Sequence, residues 1–135
     1  MPLSREAIVD QLKEIVGSER VITDETVLKK NSIDRFRKYA DIHGVYTLPL
    51  PAAVVKLGST EQVSRVLAFM NQHKINGVPR TGASATEGGL ETVVKDSVVL
   101  DGAGMNQILS IDIENMQATA QCGVPLEILE NALRE

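Results

Sequence analysis

Cysteine and aromatic residues are almost missing from this chain. Cys122 is the single cysteine, so no disulfide can form within the chain. Two Phe, two Tyr and no Trp leave no aromatic platform on which bases could stack. No stretch of Lys and Arg is longer than a pair such as Lys29-Lys30, and the formal net charge is −4. A nucleic-acid surface needs a basic face, so nucleic acid is not an expected partner. No apolar run approaches the roughly 18 residues that cross a bilayer. The first residues, Met1-Pro2-Leu3-Ser4-Arg5-Glu6, enter an amphipathic pattern with no apolar signal core. The expected location is the cytoplasm, with contact to a membrane surface only through a partner. Internal repeats and low-complexity tracts are absent as well.

What remains is ordinary globular material. The 135 residues, 43% hydrophobic and 24% charged, suit one domain. Ser4 is placed to cap a first helix whose stripe is Ile8, Leu12, Ile15 and Val16, with Gly17 to end it. Thr23-Asp24-Glu25-Thr26 marks a shorter helix start running to about Lys30. From Asn31 to Pro51 the periodicity is lost, and Asp34, Arg35, Arg37, Lys38 and Asp41 alternate in sign. That stretch reads as a linker with one helical turn.

Order returns with the apolar strand Ala52 to Lys56. Ser59, with Gln62 in capping-box position, opens a helix whose expected inner face is Val63, Val66, Leu67 and Met70. Asn76 to Pro79 reads as a second strand. Strand, helix, strand in about thirty residues predicts a βαβ unit with parallel strands. Ser97 to Leu100, Ile108 to Ile113 and Gln117 to Gln121 read as further strands. Pro125 opens a last helix with the stripe Leu126, Leu129 and Leu133.

The segment that bears chemistry lies between the second and third of these strands. Val78-Pro79-Arg80-Thr81-Gly82-Ala83-Ser84-Ala85-Thr86-Glu87-Gly88-Gly89 leaves a strand and is rich in small residues. Gly82, Gly88 and Gly89 are free to take positive φ. Backbone N–H groups there can approach an anion closely, and the hydroxyls of Thr81, Ser84 and Thr86 can add bonds. A concave donor array of this kind suits a diphosphate. A mobile surface loop reads equally well from these residues alone. Neither the P-loop Gly-Lys-Ser/Thr nor the G-x-G-x-x-G spacing is present.

With its flanks, the loop resembles the N-terminal flavin-binding domain of the vanillyl-alcohol oxidase and p-cresol methylhydroxylase superfamily. Within it, the chain is most similar to the branch of D-lactate dehydrogenases, glycolate oxidase large subunits and alkyl-dihydroxyacetone-phosphate synthases. Three segments carry the likeness: Leu50 to Val63, the loop Arg80 to Gly89, and Val98 to Asp101 with Met105 to Leu109 and Ala118 to Val124. The resemblance implies an FAD (PCMH-type) fold of class α+β, built as two small α/β lobes with the second incomplete. It divides the chain into an N-terminal helical segment and linker, 1–48, and a partial FAD-binding domain, 49–135. Within the latter, a first βαβ lobe spans 49–80, the cofactor loop 80–89, and the start of the second lobe 97–135.

By the same resemblance, Thr81, Gly82, Ala83, Ser84 and Ala85 wrap the FAD diphosphate, framed by Arg80 and by Gly88 and Gly89. Ser84 stands where some relatives attach flavin through a histidine, so FAD is expected non-covalently. Ala83 stands where the family has glycine. If that glycine has positive φ, alanine costs on the order of 1 kcal/mol. Cys122 reads as a small buried residue, Asp101 as a cap for the turn at Gly102, and neither His43 nor His73 as catalytic. No metal site and no catalytic residue is assigned.

The implied function is an FAD-linked dehydrogenase or oxidase whose parent oxidises a small 2-hydroxy acid by hydride transfer to FAD. For the chain alone, the expectation is weak FAD binding and no turnover, because a helix that stops at Glu135 reads as truncation. Two other readings stand beside it: a short FAD-binding subunit completed by a partner chain, and a ligand-free remnant that self-associates. An unfinished sheet exposes an edge and an apolar face, which makes a homodimer or a covering subunit an expectation for each.

Overall fold

In the computed structural model, which describes residues 2–35 and 48–135, the first apolar stripe forms helix α1, Arg5–Val16. Ser4 Oγ accepts the Ala7 N–H at 3.2 Å, and Gly17 closes the helix at φ 96°, a conformation open to glycine. A 3₁₀ turn, Ser18–Arg20, leads to strand β1, Val21–Ile22. Asp24 caps α2, Glu25–Lys30, by accepting the Val27 N–H at 3.0 Å. His43 and most of the expected linker lie outside the described residues.

Strand β2, Ala53–Lys56, helix α3, Thr60–His73, and strand β3, Gly77–Arg80, follow as the pattern predicts. Ser59 Oγ accepts the Gln62 N–H, and Gln62 Oε1 accepts the Gly58 N–H at 2.9 Å. The capping box thus reaches one residue further back than its usual form. The buried face of α3 is Val66, Phe69 and Met70, with Val63 half-buried. Leu67, expected on that face, is 45% exposed. Because α3 packs against α1 as well as the sheet, its buried arc turns toward Phe69.

The remaining elements are β4, Val98–Asp101, β5, Ile108–Asp112, β6, Gln117–Ala120, and α4, Leu126–Arg134. The main sheet has the order β1-β2-β4-β3, with β2, β4 and β3 parallel and β1 antiparallel. The expected βαβ unit is present, but β4 lies between its two strands. The strand expected to start the second lobe at Ser97 is therefore the middle of the first sheet. Its sequence agrees: Val98 and Val99 are both fully buried, as adjacent residues are only in a strand covered on both faces.

Those two faces have separate cores. Val55 and Val98 pack with Leu12, Val66 and Met70 on the α1 and α3 side. Val54, Val78 and Val99 pack with Leu28 of α2 on the other. The N-terminal helices are thus part of the first lobe rather than an appendage. Arg5 Nε reinforces this by donating to Asp96 Oδ1 at 2.8 Å, and Arg5 Nη2 by donating to the Leu50 carbonyl at 2.9 Å.

The second sheet is the antiparallel pair β5–β6. Helix α4 buries none of its residues, and Leu126 and Leu133 of the expected stripe are 77% and 52% exposed. The α+β architecture of two small lobes is the one observed.

Candidate functional site

Strands β2, β4 and β3 end level with one another, Lys56 and Arg80 both standing beside Asp101. The loop that follows Arg80 therefore starts at the carboxyl edge of parallel strands, where open sheets bind ligands. Thr81, Gly82, Ala83 and Ser84 are exposed, Ala85 and Gly88 are half-buried, and Gly89 is exposed. None of the backbone N–H groups from Gly82 to Glu87 bonds to a described residue.

Loop geometry differs from the glycine pattern in the sequence. Of the three loop glycines only Gly88 takes positive φ, at 91°. The left-handed position in the first half of the loop belongs to Ala83, at φ 52°. A left-handed residue in a small-residue loop is one element of an anion nest. Gly82 serves clearance instead: a Cβ built there meets only Ser84 Oγ, at 3.9 Å.

Below the loop lies an anchor that the sequence reading missed. Asp34, read from the sequence as part of a linker with one helical turn, is 1% exposed. Its Oδ2 accepts the Gly88 N–H at 2.8 Å, and its Oδ1 accepts the Arg35 N–H. Thr92, fully buried, donates Oγ1 to the Pro49 carbonyl at 2.7 Å and its N–H to the Ser32 carbonyl at 3.0 Å. These bonds fix the far end of the loop and leave its first half uncovered. The nearest sequence signal was the apolar Ile33 beside Asp34, itself buried.

Arg80 fixes the near end. Its guanidinium donates to the carbonyls of Ile33 and Lys30 at 3.4 and 3.5 Å, spanning from β3 to the end of α2. Burial pushes its pKa below the ordinary arginine value, while Asp34 and Asp101 pull the other way. Asp101 caps the turn at Gly102 as expected, Oδ1 accepting the Ala103 N–H at 2.9 Å.

Two cavities flank the loop. One, about 590 Å³, lies between α2 and the loop and is lined by Lys29, Lys30, Asp34, Arg35, Arg80 and Ala83 among others. The other, about 560 Å³, is apolar and runs past Leu67, Met70, Pro79, Leu100 and Met105 to Thr81. Leu67 is exposed because it faces this cavity. Cys122 lines it too and is exposed rather than buried, its Sγ 3.8 Å from the Gly102 carbonyl. His73 ends α3 with its ring 5.0 Å from that of Phe69. Among the described residues, no group of three His, Cys, Asp or Glu side chains could hold a metal. None of the described helices is long and apolar enough to cross a membrane.

An uncovered row of N–H donors, a backbone with room at Gly82 and cations alongside form a surface that fits a dinucleotide diphosphate. Residues 51–135 match the family described as FAD binding domain, and the chain belongs to that family, whose cofactor is FAD. The chain is 87% identical, over all 135 residues, to an FAD-linked oxidoreductase of Escherichia coli (strain K12) described as uncharacterized, YgcU, and spans 28% of that protein. A D-2-hydroxyglutarate dehydrogenase of Stutzerimonas stutzeri is 33% identical over 121 residues, 87% of this chain and 24% of that one. Among solved structures, an alkyldihydroxyacetonephosphate synthase shares the fold, with TM-score 0.84 and 23% identity over 98% of this chain and 25% of that one. The FAD-binding domain expected from the sequence is the family matched, and the fold agrees with that of the solved structure. The chain spans about a quarter of the length of these relatives.

Proposed function

We propose that this chain is the cofactor-binding portion of an FAD-linked dehydrogenase or oxidase that oxidises a small 2-hydroxy acid. FAD supplies hydride acceptance when bound. The chain's own residues hold and orient it: Thr81, Gly82, Ala83, Ser84 and Ala85 receive the diphosphate, and Arg80, Gly88 and Gly89 frame the loop. Ser84 has no ring nitrogen to alkylate, which favours non-covalent binding. The observation that carries this reading is the run of unbonded N–H groups from Gly82 to Glu87. The 2-hydroxy acid class is supported by the D-2-hydroxyglutarate dehydrogenase relative. The cytoplasm is the compartment proposed.

FAD titration into the purified chain, followed by flavin fluorescence and thermal stability, tests the assignment. A saturable change is expected, and Ser84→Asp should abolish it because a carboxylate there repels phosphate. No change at high FAD concentration in the unaltered chain removes the flavin reading.

A second reading has its own observation. Leu109, Ile113, Met116, Leu126 and Ile128 are all more than half exposed, an apolar surface of the kind that marks an interface. It supports a second lobe completed by further polypeptide, by a partner subunit or by a second copy. Mass measured against concentration separates self-association from the others. A partner that restores flavin absorbance at one-to-one stoichiometry identifies a split subunit.

A further inference from the structure

A carboxylate removed from water is costly unless hydrogen bonds compensate it, and Asp34 is 1% exposed. One of its bonds is local, to the N–H of the next residue, Arg35. The other reaches across 54 residues to the Gly88 N–H at 2.8 Å. Gly88 is the left-handed glycine of the loop, and its carbonyl accepts the Glu91 N–H at 3.1 Å in the turn that follows. Asp34 therefore grips the residue at which the loop bends back toward the sheet.

The same short segment holds the rest of the loop's surroundings. Lys30 and Ile33 accept from Arg80 where the loop begins, and Ser32 accepts the Thr92 N–H beyond its end. Residues 81 to 87 thus form an arch whose two feet, Arg80 and Gly88, rest on residues 30 to 34. The family match begins at residue 51, so this support lies ahead of the matched stretch. Its chemistry is at odds with a role in attracting an anion, because a carboxylate under the loop repels negative charge. Hydrogen bonding and charge therefore push ligand affinity in opposite directions, and the sign of the effect separates them.

We infer that Asp34 is a positioning residue: by holding the Gly88 N–H it sets the span between the two feet of the loop, and so the shape the loop presents to its ligand. It acts through the backbone and does not touch the ligand. That the ligand is FAD rests on the function proposed above; the bracing of the loop does not.

Asp34→Asn tests this, since it removes the charge at nearly constant volume and leaves one oxygen to accept where the carboxylate used two. The control is Val16→Ala, which weakens the core on the α1 face of the sheet. FAD is titrated into the 135-residue chain and both variants, at a temperature where all are folded. Asp34→Asn should bind about tenfold more weakly, as loss of a charge-assisted bond implies, and Val16→Ala as tightly as the unaltered chain. Equal binding by Asp34→Asn overturns the inference, because Asp34 then serves stability alone. Tighter binding overturns it too, because Asp34 then acts as a charge. An equal loss in Val16→Ala has the same consequence.

Amide NMR gives a readout that needs no ligand. Asp34→Asn should move the Gly88 amide proton upfield and shift the amides of residues 82 to 87 with it. If FAD does not bind the unaltered chain, the flavin reading falls, and these shifts decide the inference: movement across the loop supports it and an unmoved loop overturns it. If Asp34→Asn does not fold, hydrogen exchange in the unaltered chain decides. The Gly88 amide should exchange at least about tenfold more slowly than that of Ser84, and equal rates overturn the inference.

Discussion

The two sheets are made of similar residues and treat them oppositely. In the first, β2 and β4 are covered on both faces, and Leu12, Val55, Val66, Val98 and Val99 are fully buried. In the second, Leu109 of β5, Ile113 of the turn after it, and Leu126 and Leu133 of α4 face the outside. The amphipathic pattern of α4 is as regular as that of α1, so pattern alone does not place a residue in a core. A stripe is buried only if another layer is there to receive it. For α1 that layer is the sheet and α3; for α4 no described element supplies it.

This difference predicts where the stability of the chain lies. Leu12→Ala, at 0% exposure, should cost about 3 kcal/mol by removing apolar contacts and leaving a cavity. Leu133→Ala should change stability by less than about 0.5 kcal/mol. Urea denaturation of the two variants beside the unaltered chain gives both values. A cost at Leu133 similar to that at Leu12 would break the comparison. It would mean that α4 is packed in solution, and a concentration-dependent midpoint would then show a second copy covering it.

The junction between the lobes sharpens the contrast. A Cβ at Gly123 would lie 2.7 Å from the Ala103 carbonyl oxygen, 2.8 Å from that of Met105, and closer still to that of Gly102. All three are backbone, and the Gly123 N–H already donates to Met105 O at 2.8 Å. Gly102, in the same region, faces only side-chain atoms, Cys122 Sγ and Thr81 Cγ2. Gly123→Ala should therefore cost about 2 kcal/mol through forced backbone movement. Hydrogen exchange should show β5 and β6 amides losing protection while β2 and β4 keep theirs. Loss spread evenly over both sheets would mean that the lobes unfold as one unit.

Sequence reading served best where the cause is local. The caps at Ser4, Asp24 and Ser59 and the stripe of α1 depend on residues within a turn or two, and all are in place. The loop from Arg80 to Gly89 was singled out by small residues after a strand together with the resemblance of its flanks, since such loops are common on their own. The order of the sheet was not accessible in this way. Inserting β4 between β2 and β3 depends on pairing residues tens of positions apart, and an apolar strand fits a first or a second lobe equally well. Asp34 was misplaced for the same reason, since its partner Gly88 lies 54 residues away. Leu67 and Phe69 exchanged roles because the position of α1 beside α3 is a tertiary fact. Sequence did indicate that Ala83 departs from a family glycine, and its φ of 52° gives that departure a physical meaning.

Ala83 is accordingly the place where a small effect says most. Alanine in the left-handed region carries about 1–2 kcal/mol of strain relative to the right-handed conformation. Replacing it with glycine removes that strain but returns backbone freedom to the unfolded chain, worth about 0.4–1 kcal/mol in the other direction. Ala83→Gly should thus stabilise the chain by only about 0.5 kcal/mol, a rise of about 2 °C in thermal midpoint. Gly82 is the internal control, because it has negative φ and room for a Cβ. Gly82→Ala should leave the midpoint nearly unchanged while narrowing the approach to the loop N–H groups. If Ala83→Gly lowers the midpoint, Ala83 is not strained in solution and the loop does not hold the left-handed turn that a diphosphate nest requires. If it raises the midpoint and tightens FAD binding together, the same backbone conformation serves both folding and the ligand.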